Sequence, residues 1–304
     1  MAGCGEPEDD ETRLRDRVAI VVVNWNRGSE TLACVDRLAG FDASVIVVDN
    51  GSTDGSAELI AGARPDVTLV ETGANLGYAG GNNVGIRRAL AAGARYVWVL
   101  NNDALPEHDA LHELLAAMPE AAGCIATNSP GEGSARDHDA PVACPGCERG
   151  FHPADVVFGA SLFFRAEALR DAGLFDETYF HYFEEVDLVR RLRDRGYAVG
   201  LACRAVTNHS TGTSLSARSA QALYYYVRNR IRFERRHSST GLVTALRGMA
   251  WKSYLAPRRS VRHRDGRAIL ATLLAVFDAG RGRFGRRDLP TRFREPLPWP
   301  WRDV

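Results

Sequence analysis

Two acidic clusters in this sequence have the residue types for a joint chemical task. Asn101 to Asp103 directly follows the apolar run Tyr96 to Leu100, and Glu184 to Asp187 lies much later in the chain. A carboxylate at the end of a buried strand suits a hard divalent cation such as Mg²⁺ or Mn²⁺, with phosphate and water completing the coordination. A separate carboxylate pair could take a proton from an incoming hydroxyl group. The clusters therefore predict a site where a metal holds a diphosphate and a carboxylate acts as a base.

His209 is the second candidate metal ligand. It begins a polar segment that runs to Ser214 after another predicted strand, and it could complete a site begun by Asp103. The alternative for a single histidine is a structural role. The pair Cys144 and Cys147 has partial zinc-ligand character, but a second such pair is missing, so we favour an unliganded loop there.

Three more polar segments follow predicted strands and suit a nucleotide. Trp25 offers a ring on which a nucleobase could stack, and Asp49 could accept a hydrogen bond from a base or a ribose. The alternatives are packing of Trp25 on the domain edge and helix capping by Asp49. The glycine-rich loop Gly73 to Asn83 would let backbone N–H groups approach a diphosphate, unless it is a plain connection. It is neither a Walker A loop nor GxGxxG, which argues against an NTPase or a dehydrogenase.

Strands and helices alternate along the chain in the order that would place these residues. Strands are predicted at Val18 to Val23, Val45 to Val48, Val67 to Glu71, Tyr96 to Leu100, Val156 to Phe164 and Ala198 to Ala202. Helices are predicted at Ser29 to Leu38, Ser56 to Ala63, Asn82 to Ala92, Pro106 to Met118, Glu167 to Ala172, Glu185 to Gly196 and Ala220 to His237. The alternation indicates an α/β fold with a parallel sheet, whose ligands bind at the carboxyl ends of the strands.

Composition and charge indicate a globular protein with a basic tail. The 304 residues are 45% hydrophobic and carry no net charge, yet from Arg228 onward 19 Arg and Lys face 6 Asp and Glu. Such a tail favours an anionic partner, either a membrane or a diphosphate-bearing acceptor; nucleic acid is the less favoured partner, and a solvated surface is the alternative. No apolar run reaches about eighteen residues, so no membrane-spanning helix is predicted. Six cysteines do not form a disulfide framework and indicate reduced thiols in the cytoplasm.

We expect three parts along the chain. Residues 1–16 form an acidic leader that is expected to be disordered, residues 17–237 form the main domain, and residues 238–304 form a basic helical extension. Within the main domain, residues 123–153 are rich in Gly, Pro, Ser and Cys and are expected to form a flexible surface excursion.

As an ordered set, these segments resemble the family 2 glycosyltransferases of the GT-A fold, in particular the rhamnosyltransferase-like branch. The segments that carry the resemblance are Val18 to Asn26, Val47 to Gly55, Asn75 to Gly85, Leu100 to Pro106, Gly159 to Arg190, His209 to Ser214 and Tyr226 to Asn229. The resemblance implies a mostly parallel central sheet flanked by helices. It also implies an inverting, metal-dependent sugar transfer from dTDP-rhamnose or a UDP-sugar, in one in-line displacement.

The resemblance also assigns roles to single residues. Asp103 would bind Mg²⁺ or Mn²⁺ with His209 as a further ligand, and Glu185 would be the catalytic base, flanked by Glu184 and by Asp187, which would orient the acceptor. The donor would be bound by Asn24, Trp25, Asp49, Asn75, Gly77, Asn82, Asn83, Asn101, Gly159, Ala160 and Arg228. The sequence departs from the family pattern twice, since Asn101 and Glu185 each stand where the motif has an aspartate.

Several alternatives stay open at this point. The acceptor could be a polyprenyl-diphosphate-linked saccharide, with the enzyme peripheral at the inner face of the membrane, or a small natural product; monomer and homodimer both stay open. A sugar nucleotidyltransferase would want a basic glycine-rich loop after the first strand, and Asn24 to Gly28 offers little of that. A non-catalytic nucleotide-sugar-binding protein is the other rival, against which the joint presence of Asp103, Glu185 and His209 argues.

Overall fold

The computed structural model describes residues 17–129, 150–157, 159–209, 219–238 and 266–297. The predicted acidic leader and the pair Cys144 and Cys147 lie outside these ranges. The chain divides into two compact units: unit 1 is Met1–Phe175 with Arg191–Ser210, and unit 2 is Asp176–Arg190 with Thr211–Val304.

Strands and helices alternate through most of unit 1, as predicted. Its strands are β1 (Val18–Asn24), β2 (Ser44–Asp49), β3 (Thr68–Glu71), β4 (Tyr96–Asn101), β5 (Ala104–Pro106), β6 (Ala122–Asn128), β7 (Phe151–Pro153), β8 (Ser161–Arg165) and β9 (Ala198–His209). Its helices are α1 (Gly28–Leu38), α2 (Ser56–Ala63), α3 (Gly77–Ala91), α4 (Ala110–Ala117) and α5 (Ala166–Ala172). Helix α6 (Glu184–Asp194) begins in unit 2 and ends in unit 1.

The sheet is parallel in one half and mixed in the other. Its strand order is β3-β2-β1-β4-β8-β6-β9-β5, and β7 pairs with β9. Strands β3, β2, β1 and β4 are parallel neighbours, whereas β8 runs antiparallel to both β4 and β6. The β-branched runs of β1 and β2 are almost fully buried, as expected of parallel strands covered on both faces. The α/β prediction is confirmed, with a more mixed sheet than predicted.

The prediction of a flexible excursion over residues 123–153 is wrong in its first part. Cys124 and Ile125 are fully buried in β6, which pairs with β8 and β9. Small residues hide this strand in the sequence, because Ala122 to Asn128 is buried throughout and shows no alternation of polar and apolar side chains. The last residues of the predicted excursion form β7, and residues 130–149 lie outside the described ranges.

Helix α3 lies directly against β1 and β2 because it has glycines at the contact. A Cβ atom added at Gly85 would overlap Val21 of β1 and lie 3.2 Å from a methyl group of Val48. At Gly81, an added Cβ would lie 3.0 Å from a methyl group of Val23. The absence of side chains at these two positions lets the helix approach the strands closely. It brings the start of α3 beside the carboxyl ends of β1 and β2.

Unit 2 is helical and includes more of the chain than predicted. Helix α7 (Ala220–His237) packs on α8 (Arg267–Gly280), and both contribute to one buried cluster with Phe293 of a short 3₁₀ turn. The predicted domain boundary after His237 is therefore misplaced, since α7 belongs with the C-terminal unit. Among the described helices, none combines the length and apolar character needed to cross a bilayer.

Candidate active site

The ends of β1 and β2 hold a buried hydrogen-bonded group. The Asn24 side-chain amide donates to Asp49 Oδ2 at 2.8 Å and to Ser52 Oγ at 3.1 Å, and Thr31 donates to Asn24 Oδ1 at 2.7 Å. The Ser52 backbone N–H donates to Asp49 Oδ1 at 2.9 Å. The structure thus brings the predicted residues Asn24 and Asp49 together, with Asn24 orienting the carboxylate. A direct contact of either residue with the donor stays a prediction.

Trp25 is presented to solvent next to this group. Its side chain is 48% exposed, and it directly follows Asn24, which pairs in register with Asp49. The next residue, Asn26, has a left-handed φ of 53°, and its Oδ1 accepts a hydrogen bond from the Thr53 N–H at 2.8 Å. The loop therefore holds an exposed indole at the carboxyl edge of the parallel strands, and its stacking on a nucleobase stays a prediction.

The glycine-rich loop is organised by Asn50, a residue that the sequence analysis missed. The Asn50 amide donates to the Gly77 carbonyl at 3.0 Å, and its Oδ1 accepts from the Leu76 N–H at 3.0 Å. Asn75 Oδ1 accepts from the Gly77 N–H at 2.8 Å. The N–H groups of Leu76 and Gly77 are therefore engaged within the loop. The signal that could have revealed Asn50 is its position directly after Asp49, at the end of β2.

The two asparagines of α3 differ in how they are used. Asn83 exchanges two hydrogen bonds with the backbone of Phe175, donating to its carbonyl at 2.9 Å and accepting from its N–H at 3.1 Å. The Asn82 amide donates to the Tyr78 carbonyl at 3.0 Å. Asn82 Oδ1 is buried and has no hydrogen-bond partner among the described residues. Asn83 is thus placed to hold structure, whereas Asn82 keeps an unused acceptor.

The segment Asn101 to Asp103 joins β4 to β5. The Asn101 N–H donates to the Ala160 carbonyl at 2.7 Å, so the predicted residues Gly159 and Ala160 lie beside this segment. Gly159 is exposed and has a φ of +133°, which favours glycine. Asn101 Oδ1 is buried and lacks a hydrogen-bond partner within the described part of the chain.

His209 is near Asp103 by backbone register. Strand β5 pairs antiparallel with β9, and Ala104, the residue after Asp103, lies opposite His209. The side chain of His209 lies outside the described part, so its role as a metal ligand stays a prediction. The pairing places the backbone of both predicted ligands at one edge of unit 1.

The residues around Asp103 fit a hard cation. The Asp103 carboxylate and the unpaired Asn101 oxygen are the kind of ligands that Mg²⁺ and Mn²⁺ prefer. Burial, and then the charge of Asp103, raises the pKa of the Cys34 thiol to about 12. In the described ranges no three His, Cys, Asp or Glu side chains converge on one point. Substrate phosphate and water would therefore complete the coordination.

Glu184 and Glu185 begin α6 in unit 2. One carboxylate oxygen of each is buried and has no hydrogen-bond partner among the described residues. Burial, followed by the nearby charge of Glu185, raises the pKa of Glu184 well above its ordinary value. Burial also raises the pKa of Glu185, opposed by hydrogen bonds from N–H groups in the first helical turn. Burial and the closeness of two like charges therefore favour the binding of a proton by this pair.

The backbone before these acids is strained and held from α7. Three non-glycine residues in the segment 180–183 have left-handed φ values between 65° and 74°. The buried amide of Asn229 donates to the carbonyls of Tyr179, His181 and Tyr182 at 2.8, 2.7 and 2.9 Å. Asn229 thus stabilises the turn that leads into Glu184, a role that sequence reasoning did not assign.

Asp187 is buried in a network within unit 2. Its carboxylate accepts a hydrogen bond from the Tyr179 hydroxyl at 3.2 Å and lies 2.8 Å from His237 Nε2 and 3.2 Å from Arg236 Nη1. Its side chain has no exposed surface, so these contacts link α6 to the end of α7. Orientation of the acceptor by Asp187 stays a prediction; the observed contacts are structural.

Arg228 occupies the core of unit 2 and not an open site. Its guanidinium donates to the carbonyls of Gly285 at 2.7 Å and Tyr179 at 3.2 Å, and it lies over the ring of Tyr225. Only 1% of its surface is exposed. The predicted donor contact of Arg228 therefore needs correction: in this structure its donors are used inside the unit. A sequence alone does not distinguish such an arginine from a phosphate-binding one.

We expect Glu184→Gln to change how stability depends on pH. The folded state raises the pKa of Glu184, so it binds the proton more tightly than the unfolded chain, and stability falls as pH rises from the unfolded pKa through the raised folded pKa. Glutamine does not titrate, so the variant should lack this fall. Urea unfolding at a series of pH values measures it. The exposed residue Glu177 supplies the control, and an identical pH profile for Glu184→Gln and Glu177→Gln would contradict the expectation.

Comparison with known proteins gives a family match. Residues 19–170, half of the chain, match the family model described as Glycosyl transferase family 2. The solved structure of S. aureus TarS 1–349 in complex with UDP-GlcNAc superposes with a TM-score of 0.55 at 13% identity, covering 91% of this chain and 95% of that one. At this identity the likeness shows the fold, which is that of the GT-A glycosyltransferases.

Two curated relatives have names that describe sugar transfer. The low-salt glycan biosynthesis hexosyltransferase Agl10 of Haloferax volcanii is 27% identical over 208 residues, 64% of this chain and 66% of that protein. The N-acetylglucosaminyl-diphospho-decaprenol L-rhamnosyltransferase of Mycobacterium tuberculosis is 27% identical over 297 residues, 82% of this chain and 95% of that protein. The predicted resemblance to this group of proteins is confirmed.

Proposed function

Because the chain belongs to glycosyl transferase family 2, we propose that it moves a sugar from a nucleoside diphosphate sugar to a hydroxyl acceptor with inversion at the anomeric carbon. The observation that carries the proposal is the first turn of α6, where Glu185 has an unpaired carboxylate oxygen and a raised pKa. A base of this kind can take a proton from a neutral hydroxyl group near neutral pH.

In the proposed reaction, the acceptor oxygen forms a bond to the anomeric carbon while the bond from that carbon to the diphosphate oxygen breaks. The acceptor proton passes to Glu185, and the nucleoside diphosphate leaves with the electron pair. Burial disfavours a charge on Glu184, so a proton held there would leave one negative charge on the pair. Asn229 holds the turn before the pair and limits its movement.

In unit 1, we assign the donor to the edge formed by Asp49, Trp25 and the glycine-rich loop. The exposed ring of Trp25 would stack on the base, and Asp49, already oriented by Asn24, would accept a hydrogen bond from base or ribose. Asp103 would hold Mg²⁺ or Mn²⁺. Asn101 lies two residues before it in the chain, and His209 pairs with the next residue, Ala104, across β5 and β9. When bound, the cation neutralises charge on the departing diphosphate.

For the substrates, we propose dTDP-rhamnose or a UDP-sugar as donor and a lipid-linked saccharide as acceptor. The relative named as a diphospho-decaprenol rhamnosyltransferase, which is matched over nearly its whole length, supports both a rhamnosyl donor and a polyprenyl diphosphate acceptor. The UDP-GlcNAc complex of a protein with this fold supports the UDP alternative. We place the protein in the cytoplasm, peripheral to the inner face of the membrane; the buried free thiols of Cys34 and Cys124 are compatible with that compartment.

A panel of nucleoside diphosphate sugars tests this proposal, with and without Mn²⁺ or Mg²⁺. Release of the nucleoside diphosphate is followed by mass spectrometry. Metal-dependent release from one donor is expected and would name the sugar. Metal-dependent binding without release, in the presence of lipid-linked acceptors, would instead support a nucleotide-sugar-binding protein. Neither binding nor release from any donor would overturn the proposed function.

A further inference from the structure

Helix α8 has its small side chains inside and its large ones outside. The buried positions include Ala268, Ala271, Ala275 and Ala279, which pack on the core of unit 2. The exposed positions are apolar: Leu270 is 42% exposed, Leu273 61%, Val276 36% and Phe277 49%. Helices of water-soluble domains place their large apolar residues inward, so the outer face of α8 is unusual for a surface that contacts only water.

Positive charge borders this apolar face. Arg281 and Arg283 directly follow the helix and are exposed, and the Arg281 guanidinium lies 3.8 Å from the centre of the Phe277 ring. The acidic residue of the helix, Asp278, is fully buried, where it accepts a hydrogen bond from Tyr224 at 2.7 Å and pairs with Arg287. The exposed surface of α8 therefore combines apolar side chains with arginines at its end and displays no carboxylate.

We propose that α8 is a membrane-docking helix that lies in the surface of an anionic bilayer. Leu270, Leu273 and Phe277 enter the boundary between head groups and acyl chains, while Arg281 and Arg283 contact lipid phosphates. The inference deepens the proposed function, because it names the surface that would bring the enzyme to a lipid-linked acceptor. The physical basis is separate, since it depends only on the exposed face of α8 and its charges.

Area and charge favour a bilayer over a second copy of the chain. Four partly exposed side chains present on the order of a few hundred Å², below the roughly 800 Å² per partner of a stable protein interface. A symmetric pairing with the two α8 helices parallel would also bring the arginines of two copies close together. An anionic bilayer suits both the small apolar area and the positive charge. It accepts inserted apolar side chains without a minimum contact area, and its lipid phosphates attract the arginines.

Co-sedimentation of the full chain with lipid vesicles tests the proposal. Vesicles of phosphatidylglycerol and phosphatidylcholine are compared with vesicles of phosphatidylcholine alone. We expect binding to the anionic vesicles, and a loss of about tenfold or more in the partition coefficient for Leu273→Ser combined with Phe277→Ser. Arg281→Gln combined with Arg283→Gln should weaken binding of the protein to the anionic vesicles by about fivefold or more per arginine. The binding of this variant should also depend less on salt. Leu59→Ser is the matched control, since Leu59 is 47% exposed on α2 of unit 1, and it should bind like the unchanged protein.

The outcomes separate this proposal from its rivals. Absence of vesicle binding by the unchanged protein would overturn it, and so would equal loss for Leu59→Ser and the α8 variant. Light scattering gives the oligomeric state: a dimer that the α8 variant converts to a monomer, without vesicle binding, would identify a second copy as the occupant. Thermal unfolding of every variant should stay cooperative and so show that the fold is retained, because each altered side chain is at most about half buried. Metal-dependent nucleoside diphosphate release, measured without vesicles, tests the proposed function separately, so either idea can fail alone.

Discussion

Replacing Glu185 with glutamine is expected to lower the rate of sugar transfer by about 10²- to 10⁴-fold while donor affinity stays unchanged. The side chain keeps its shape and loses only the ability to take a proton. Steady-state transfer and donor binding by calorimetry, measured on the same preparation, separate the two effects. Because burial raises the pKa of Glu185, the unchanged enzyme should also lose activity as pH falls through a value above that of an ordinary carboxyl group.

Glu184→Gln is the matched control for this experiment. Glu184 is the neighbour of Glu185 in the first turn of α6. In the proposed reaction Glu184 carries a proton, so its replacement by glutamine changes the charge of the site little. We expect its transfer rate to stay within a fewfold of the unchanged enzyme. Wild-type turnover by Glu185→Gln would remove Glu185 as the base, and a severe loss in Glu184→Gln alone would assign that role to its neighbour.

Asp103→Asn is expected to abolish the dependence of donor binding on Mn²⁺ or Mg²⁺ and to slow transfer by on the order of 10²-fold or more. The substitution removes the charged ligand and keeps the size of the side chain. The nearby Asn101 oxygen is neutral, so it does not replace the lost charge. Donor affinity is titrated with and without metal. The increase in donor affinity that the metal causes should be lost in the variant. Donor affinity measured with a chelator should be the same in the variant and the unchanged protein.

Asp109→Asn controls for the change from acid to amide in the same part of unit 1. Asp109 is exposed and lies just before α4, away from the β4–β5 junction in the chain. It should retain the metal dependence of the unchanged protein. Unchanged Mn²⁺-dependent donor affinity in Asp103→Asn would contradict the metal assignment.

Long apolar strands and amphipathic helices were readable from the sequence. The runs in β1, β2 and β4 are rich in β-branched residues and lie within a residue or two of the predicted bounds. Strand β5 was missed because Ala104 to Pro106 is too short for a periodic signal, and its pairing with β9 is a long-range contact. Strand β9 extends to His209, beyond the predicted Ala202, through residues that lack a clear apolar alternation.

The candidate site was predictable in its residue types but not in their surroundings. Asp49, Asp103 and Glu185 stand next to predicted elements, so chain position alone identified them. The burial of Arg228 and the bonds of Asn229 depend on carbonyls about fifty residues away in the chain, such as that of Tyr179. No local pattern encodes such contacts, because they arise only when the separate segments pack.

The close approach of α3 to β1 also bears on how the proposed donor site can move. Gly81 and Gly85 place the helix backbone directly against valine side chains of the strands, so this contact leaves little room for the helix to slide. The loop before Gly77 is tied at its C-terminal end by the Asn50 side chain, which bonds Leu76 and Gly77. If the proposed donor binds here, it would meet a nearly preformed surface, and little conformational entropy of the protein would be lost on binding. Affinity at this edge should thus depend on the contacts made and not on a folding step.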